Sequence, residues 1–247
     1  MASVELWCAV VQRPDGRFCL SGTRNWCIDT SWLCRAPRLS DYDVVMRSLV
    51  VATTNHGKLR EVRELLTGVP IELQTLADFA ALAPPEETGT TFEENARQKA
   101  LFYANATGAM VVAEDSGLEV DALGGAPGVL SARFGGEGAT YPEKFALLYE
   151  ALRQVGATTS TARFVCALAV AEGDAIVFEA RGTVEGSIAP EPRGDGGFGY
   201  DPIFFYPPFG CTLAEAGARK SEVSHRAEAF QALRRMIEAQ ISAGAQS

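Results

Sequence analysis

From residue 49 onward, short apolar runs alternate with stretches whose apolar residues recur at helical spacing, and the alternation then gives way to two long runs joined by a tight turn. Residues 49–53 read as a strand, and a helix from about 58 to 66 closes near Gly68. A second strand spans 71–76, and Pro84-Pro85 interrupts the segment after it. Thr91-Phe92-Glu93-Glu94 forms a capping box, with Glu94 reaching back to the threonine. Phe92, Ala96, Ala100 and Tyr103 then make an apolar helical stripe. A strand at 109–113 comes next, and Thr140 to Glu143 starts another capped helix to about 154. Residues 163–170 and 175–184 form a hairpin turning at Glu172-Gly173-Asp174. An aromatic strand at 203–206 precedes a last helix, capped by Ser224 and running to about 241. Strand–helix alternation ending in a hairpin demands a mixed sheet in an α/β architecture.

The chain has 247 residues, 47% hydrophobic and 21% charged, enough for one large domain or two small ones. A formal charge of −9 argues against polymeric nucleic acid, whose binding depends on phosphate neutralisation by Lys and Arg. A small phosphate ligand needs only a local cluster of donors and a metal. No apolar stretch approaches the roughly 18 residues of a membrane span. The six cysteines form no C-x-x-C pair, and His56 and His225 lie far apart, so a structural zinc site has poor support. Free thiols in a reducing cytoplasm are the expectation.

Residues 1–47 differ from the rest: all three tryptophans and four cysteines fall there, and helical periodicity is absent. Met46 stands just before the first convincing strand. The reading is that Met46 is the biological start and that residues 1–47 are spurious or disordered, with a peripheral extension as the alternative. Residues 48–247 then form the functional domain.

Five segments could carry chemistry. Glu114-Asp115-Ser116-Gly117 ends the apolar run at 109–113, and ligands of α/β proteins sit outside the carboxyl ends of strands. Two acids there suit a hydrated Mg²⁺ that also holds phosphate oxygens, although an acidic turn would read the same. Thr53-Thr54-Asn55-His56-Gly57-Lys58 opens a helix, where backbone N–H groups favour anions. It is not a Walker A loop, because Ala52 and Leu59 break that pattern. Gly194 to Gly199 matches G-x-G-x-x-G by letter, but a strand comes after it, which rejects a dinucleotide fingerprint. Phe198 on that loop is placed to stack on a base or to fold into the core. Lys220, His225 and Arg226 lie at and before the last helix's positive end, which suggests a nearby anion or carbonyl acceptor. Glu87 precedes the capped helix, and Asn95 and Lys99 share one face of it.

Taken in order, these segments resemble the inosine/xanthosine triphosphate pyrophosphatase family, which hydrolyses non-standard purine nucleoside triphosphates. The motifs are T-T-N-H-G-K (53–58), E-E-T-G-T-T-F-E-E-N-A (86–96), E-D-S-G-L (114–118), L-G-G-A-P-G-V-L-S-A-R (123–133), G-G-F-G-Y-D-P-I-F (196–204) and K-S-x-x-S-H-R (220–226). The resemblance runs from about residue 49 to 236 and leaves residues 1–47 without a counterpart. It implies an elongated mixed central sheet with flanking helices, two lobes with the active-site cleft between them, and a homodimer. It implies that Thr53, Thr54, Asn55, His56, Gly57 and Lys58 hold the triphosphate and that Glu87 and Asp115 bind Mg²⁺. Asp115 would also accept the proton of the attacking water. Lys99 would meet phosphate charge and Ser116 would touch the substrate. Phe198, Gly199, Tyr200 and Asp201 would receive base and sugar, and Lys220, His225 and Arg226 would read the base edge. A Maf-type pyrophosphatase acting on pyrimidine or modified triphosphates, a non-catalytic nucleotide sensor and a phosphate monoesterase are the competing readings.

Overall fold

The computed structural model describes residues 10–12, 18–20, 48–80 and 82–244. The chain divides into two compact units, Met1–Arg38 and Leu39–Ser247. In the first, β1 (Val10–Gln12) pairs antiparallel with β2 (Phe18–Leu20). Met46 and the remainder of the N-terminal stretch lie outside the described residues.

The second unit is built on a seven-stranded sheet of β3 (Ser48–Val51), β4 (Glu72–Thr75), β5 (Val111–Val120), β6 (Thr161–Glu172), β7 (Ala175–Ile188), β8 (Phe204–Tyr206) and β9 (Cys211–Thr212). Their spatial order is β4-β3-β5-β6-β7-β8-β9. The first three are parallel and every later pairing is antiparallel. Helices α1 (His56–Leu65), α2 (Phe92–Thr107), α3 (Tyr141–Gln154), α4 (Lys220–Val223) and α5 (His225–Gly244) cover it. This is the mixed α/β architecture expected. The 14 residues of β7 would extend about 45 Å at the usual rise per residue, which makes the sheet elongated.

Alternation along the strands assigns the cores. Val51, Val112 and Leu168 face α1 and α5, packing on Val62, Leu66, Phe230 and Leu233. Val50, Val111 and Ala167 face the other way, onto Phe92, Ala96 and Ala100 of α2. Beyond Gly117 a separate core begins, in which Leu118, Val120, Phe164 and Val184 pack on Phe145, Leu148 and Leu152 of α3. Glu114, Asp115 and Ser116 therefore lie where the helix-covered end gives way to the second core region.

Candidate active site

The expectation that the strand ends at residue 113 is corrected: β5 continues through Glu114-Asp115-Ser116-Gly117 to Val120. The reason is β6, which pairs with it throughout and places Leu168 opposite Glu114, Ala167 opposite Asp115 and Cys166 opposite Ser116. The parallel neighbour β3 stops earlier, its last register pair with β5 being Val51 and Val112. The acids thus sit beyond the end of β3 rather than of their own strand. The vacated edge is occupied by the 53–58 loop, where Asn55 caps α1, its Oδ1 accepting from the N–H groups of Gly57 (2.9 Å) and Lys58 (3.2 Å).

Side chains of a strand alternate between faces, so adjacent acids serve opposite sides of the sheet. Asp115 points towards α2. Asn95 Nδ2 donates to its Oδ2 at 3.0 Å and Lys99 Nζ to its Oδ1 at 3.2 Å. Lys99 also donates to Glu87 Oε1 at 2.7 Å, and Arg133 reaches Glu87 Oε2 at 3.3 Å. Burial pushes the Glu87 carboxyl up, but the hydrogen bond and charge of Lys99, with Arg133 and Lys58, hold it below its ordinary value. The expected trio of Glu87, Asn95 and Lys99 is therefore brought together, with Asp115 as its focus.

Glu114 and Ser116 point to the opposite face, where α5 begins. Arg226, 1% exposed, donates from Nε to Glu114 Oε1 (2.8 Å), from Nη2 to Ser116 Oγ (3.1 Å) and from Nη1 to Glu61. Lys220 donates to Glu61 Oε1 at 2.8 Å and to Asp201 Oδ2 at 2.7 Å, and Lys58 lies 3.6 Å from Glu114. Burial opposes ionisation of Glu114, yet Arg226 and Lys58 win and hold it far below the carboxylate range. Cys166 Sγ donates to the remaining Glu114 oxygen at 2.9 Å. The cations of the last helix imply an anion nearby. The structure supplies protein carboxylates: Glu61, which no sequence signal marks, Glu114 and Asp201.

Phe198 lies over this cluster, with Lys220 Nζ 4.5 Å and the Arg226 guanidinium 5.7 Å from its ring centroid. A Cβ on Gly57 would meet the ring at 3.1 Å, so the absent side chain lets the 53–58 loop and the aromatic ring share one wall. The buried Asp201 accepts the Phe198 N–H at 2.7 Å, and the buried Tyr200 donates its hydroxyl to Ser131 O at 3.0 Å. These two side chains hold the loop. Gly199, which lies opposite Tyr141, and Phe198 remain partly exposed. His225 is 6% exposed and stacks on Phe164 with ring centroids 4.9 Å apart; its Nδ1 is the one buried side-chain polar atom among the described residues without a partner. Thr53 Oγ1 accepts from Asn55 N–H at 3.1 Å, while Thr54 and His56 are exposed and enter neither cluster.

The chain is matched by known proteins. The sequence model of the Ham1 family covers residues 49–236. The chain belongs to the Ham1 family. It is similar to a dITP/XTP pyrophosphatase of an Exiguobacterium species, 48% identical over 186 residues that cover 75% of this chain and 94% of that relative. A dITP/XTP pyrophosphatase of Thermus thermophilus is 50% identical over 186 residues, covering 75% and 89%. Among solved structures, a HAM1 protein from Coxiella burnetii superposes with a TM-score of 0.73 at 39% identity, over 78% of this chain and 100% of that one. The Staphylococcus aureus Ham1 protein gives 0.71 at 35% identity over the same shares.

In this Ham1-family site, five carboxylates (Glu61, Glu87, Glu114, Asp115, Asp201) already balance five cations (Lys58, Lys99, Arg133, Lys220, Arg226). A polyphosphate adds negative charge with no surplus of protein cations to meet it. Glu87 and Asp115 converge on one point, now held by the Lys99 ammonium. Among the described residues no group of three or more His, Cys, Asp or Glu side chains forms a metal cage. Two hard oxygen donors without a full cage suit a Mg²⁺ completed by water and phosphate oxygens.

Proposed function

We propose that this chain hydrolyses non-standard purine nucleoside triphosphates (ITP, dITP and XTP) to the monophosphate and pyrophosphate. The observation that carries the reading is the split of Glu114 and Asp115 to opposite faces of one strand. With Asp115 beside Lys99 on one face and the buried Arg226 beside Phe198 on the other, it supports Asp115 as proton acceptor among phosphate-binding lysines and Phe198 as the base-stacking ring. The names of the relatives agree with it.

Asp115 accepts the proton of the attacking water at a carboxylate oxygen, and Asn95 and Lys99 hold that carboxylate in place. Lys58 and Lys99 meet the phosphate charge, and the capped start of α1 offers backbone N–H groups. Glu87 and Asp115 would hold Mg²⁺, which when bound neutralises the phosphates and polarises the phosphoryl group. Arg226 has five N–H donors, of which Glu61, Glu114 and Ser116 engage three groups, leaving others for an acceptor such as a 6-oxo oxygen. Adenine presents an amino group there and would leave donors facing each other. The unpartnered His225 Nδ1 can gain a hydrogen bond to the base without losing one. A homodimer, which rests on the resemblance, and a cytoplasmic location, which rests on the free thiols, complete the proposal; the formal charge of −9 weighs against polymeric nucleic acid as a partner, and no helix among the described residues is long and apolar enough to cross a membrane.

Hydrolysis of ITP in ¹⁸O-water tests the point of attack. The label is expected in the monophosphate. Label in pyrophosphate, or release of orthophosphate, would overturn the mechanism.

A further inference from the structure

The stretch at residues 123–133 is fastened to the site more firmly than a surface loop requires. Gly117, directly after Glu114-Asp115-Ser116, meets it so closely that a Cβ would collide with Ser131 Oγ and lie 2.6 Å from Gly128 O. Ser131 Oγ accepts from Leu118 N–H at 2.9 Å and donates to Gly128 O at 2.6 Å. Lys144 of α3, 5% exposed and without a carboxylate partner among the described residues, donates to Ala132 O at 2.5 Å. Its burial pushes the ammonium pKa down, a cost set against that backbone carbonyl and the Tyr141 ring, whose centroid lies 5.0 Å from Nζ. Tyr200, from the loop of Phe198, donates to the adjacent Ser131 O at 3.0 Å.

This framework presents Arg133. Its side chain is 51% exposed, and its ion pair among the described residues is Glu87 at 3.3 Å. Such an exposed pair contributes little to stability, so it does not explain a backbone pinned by three buried side chains. Most of the guanidinium's donors stay available, in the planar fork that suits phosphate oxygens. In order of contact the site runs from Phe198 through Arg226, Glu114 and Lys58, and on the other face through Asp115, Lys99 and Glu87, with Arg133 last. Its contact is with Glu87, on the Asp115 and Lys99 side of β5, away from the Arg226 and Glu114 side.

We propose that Arg133 binds the phosphoryl oxygens of the departing pyrophosphate, and that Lys144 and Tyr200 are positioning residues for its loop. This deepens the proposed hydrolysis and rests on it. The test is calorimetric titration of the full chain in Mg²⁺ with two probes, inorganic pyrophosphate and inosine monophosphate. Arg133→Ala is expected to weaken pyrophosphate binding about tenfold, the scale of one charge-assisted contact, with monophosphate affinity unchanged. Arg133→Lys should restore part of the loss, and Lys144→Met, which removes the hydrogen bond to Ala132 O, should weaken pyrophosphate binding with monophosphate affinity unchanged. Unchanged pyrophosphate affinity in Arg133→Ala, an equal loss for both probes, or a wild type that binds no pyrophosphate would overturn the inference. Failure of the wild type to release pyrophosphate from ITP would instead defeat the hydrolytic reading, and the binding comparison is independent of turnover.

Discussion

Glu114 and Asp115 share a peptide bond and have different duties, and substitutions should separate them. Asp115→Asn keeps the shape but removes the proton acceptor. A fall in kcat of about 10²- to 10⁴-fold is expected with nucleotide binding largely retained, read by steady-state kinetics and calorimetry; near-normal turnover would exclude Asp115 as the base. Glu114→Gln strips the buried Arg226 of one carboxylate and should cost roughly 3 kcal/mol of stability in urea unfolding. The Glu114 carboxyl is held below its ordinary 4.5, so its contribution is complete above that pH and is lost as the pH falls through the depressed folded value. Glu114→Gln should accordingly flatten the stability profile below pH 4.5. His225 acts in a higher window. Burial, then the Arg226 charge, keeps its imidazole neutral well below the ordinary 6.5. The unfolded chain gains a proton below 6.5 that the folded one refuses, so stability declines there by up to about 1.4 kcal/mol per pH unit. His225→Gln should remove that slope, and an unchanged slope in its unfolding midpoints would refute the assignment.

At the scale of elements, close approaches at glycines set where helices begin. A Cβ on Gly182 of β7 would collide with the His225 carbonyl and lie 2.8 Å from Ala229 N, so the start of α5 rests directly on the sheet. Gly182→Ala should displace that start, costing about 1–3 kcal/mol by overpacking and lowering activity through Arg226; thermal unfolding and kcat/KM check both effects. Elements with local signals were legible in the sequence. The box at Thr91 and Glu94 forms, the hairpin turns between Glu172 and Ala175, and α3 ends at Gln154. The continuation of β5 through two acids was not legible, because it depends on the distant β6 supplying a partner for each residue. The same distance hid Glu61. Its partners Lys220 and Arg226 lie 159 and 165 residues away, and on α1 it reads as one more helix-surface acid. Asn95 and Lys99 were legible because both lie on one helix face.

Across the whole molecule, the site is a charge-balanced seam between core regions, and its two faces must act on one ligand. In the proposed function, base recognition belongs to Phe198, His225 and Arg226, and phosphate chemistry to Lys58, Glu87, Lys99 and Asp115, with β5 joining them. The central claim is that both halves act together on a 6-oxopurine triphosphate. The measurement that tests it most directly is kcat/KM with product analysis in Mg²⁺ for the triphosphates of inosine, xanthosine, deoxyinosine, adenosine, guanosine, thymidine and uridine. The account predicts pyrophosphate and monophosphate from the inosine, xanthosine and deoxyinosine members, at rates well above the others. Equal turnover of adenosine or pyrimidine triphosphates, or orthophosphate as the product, would contradict it.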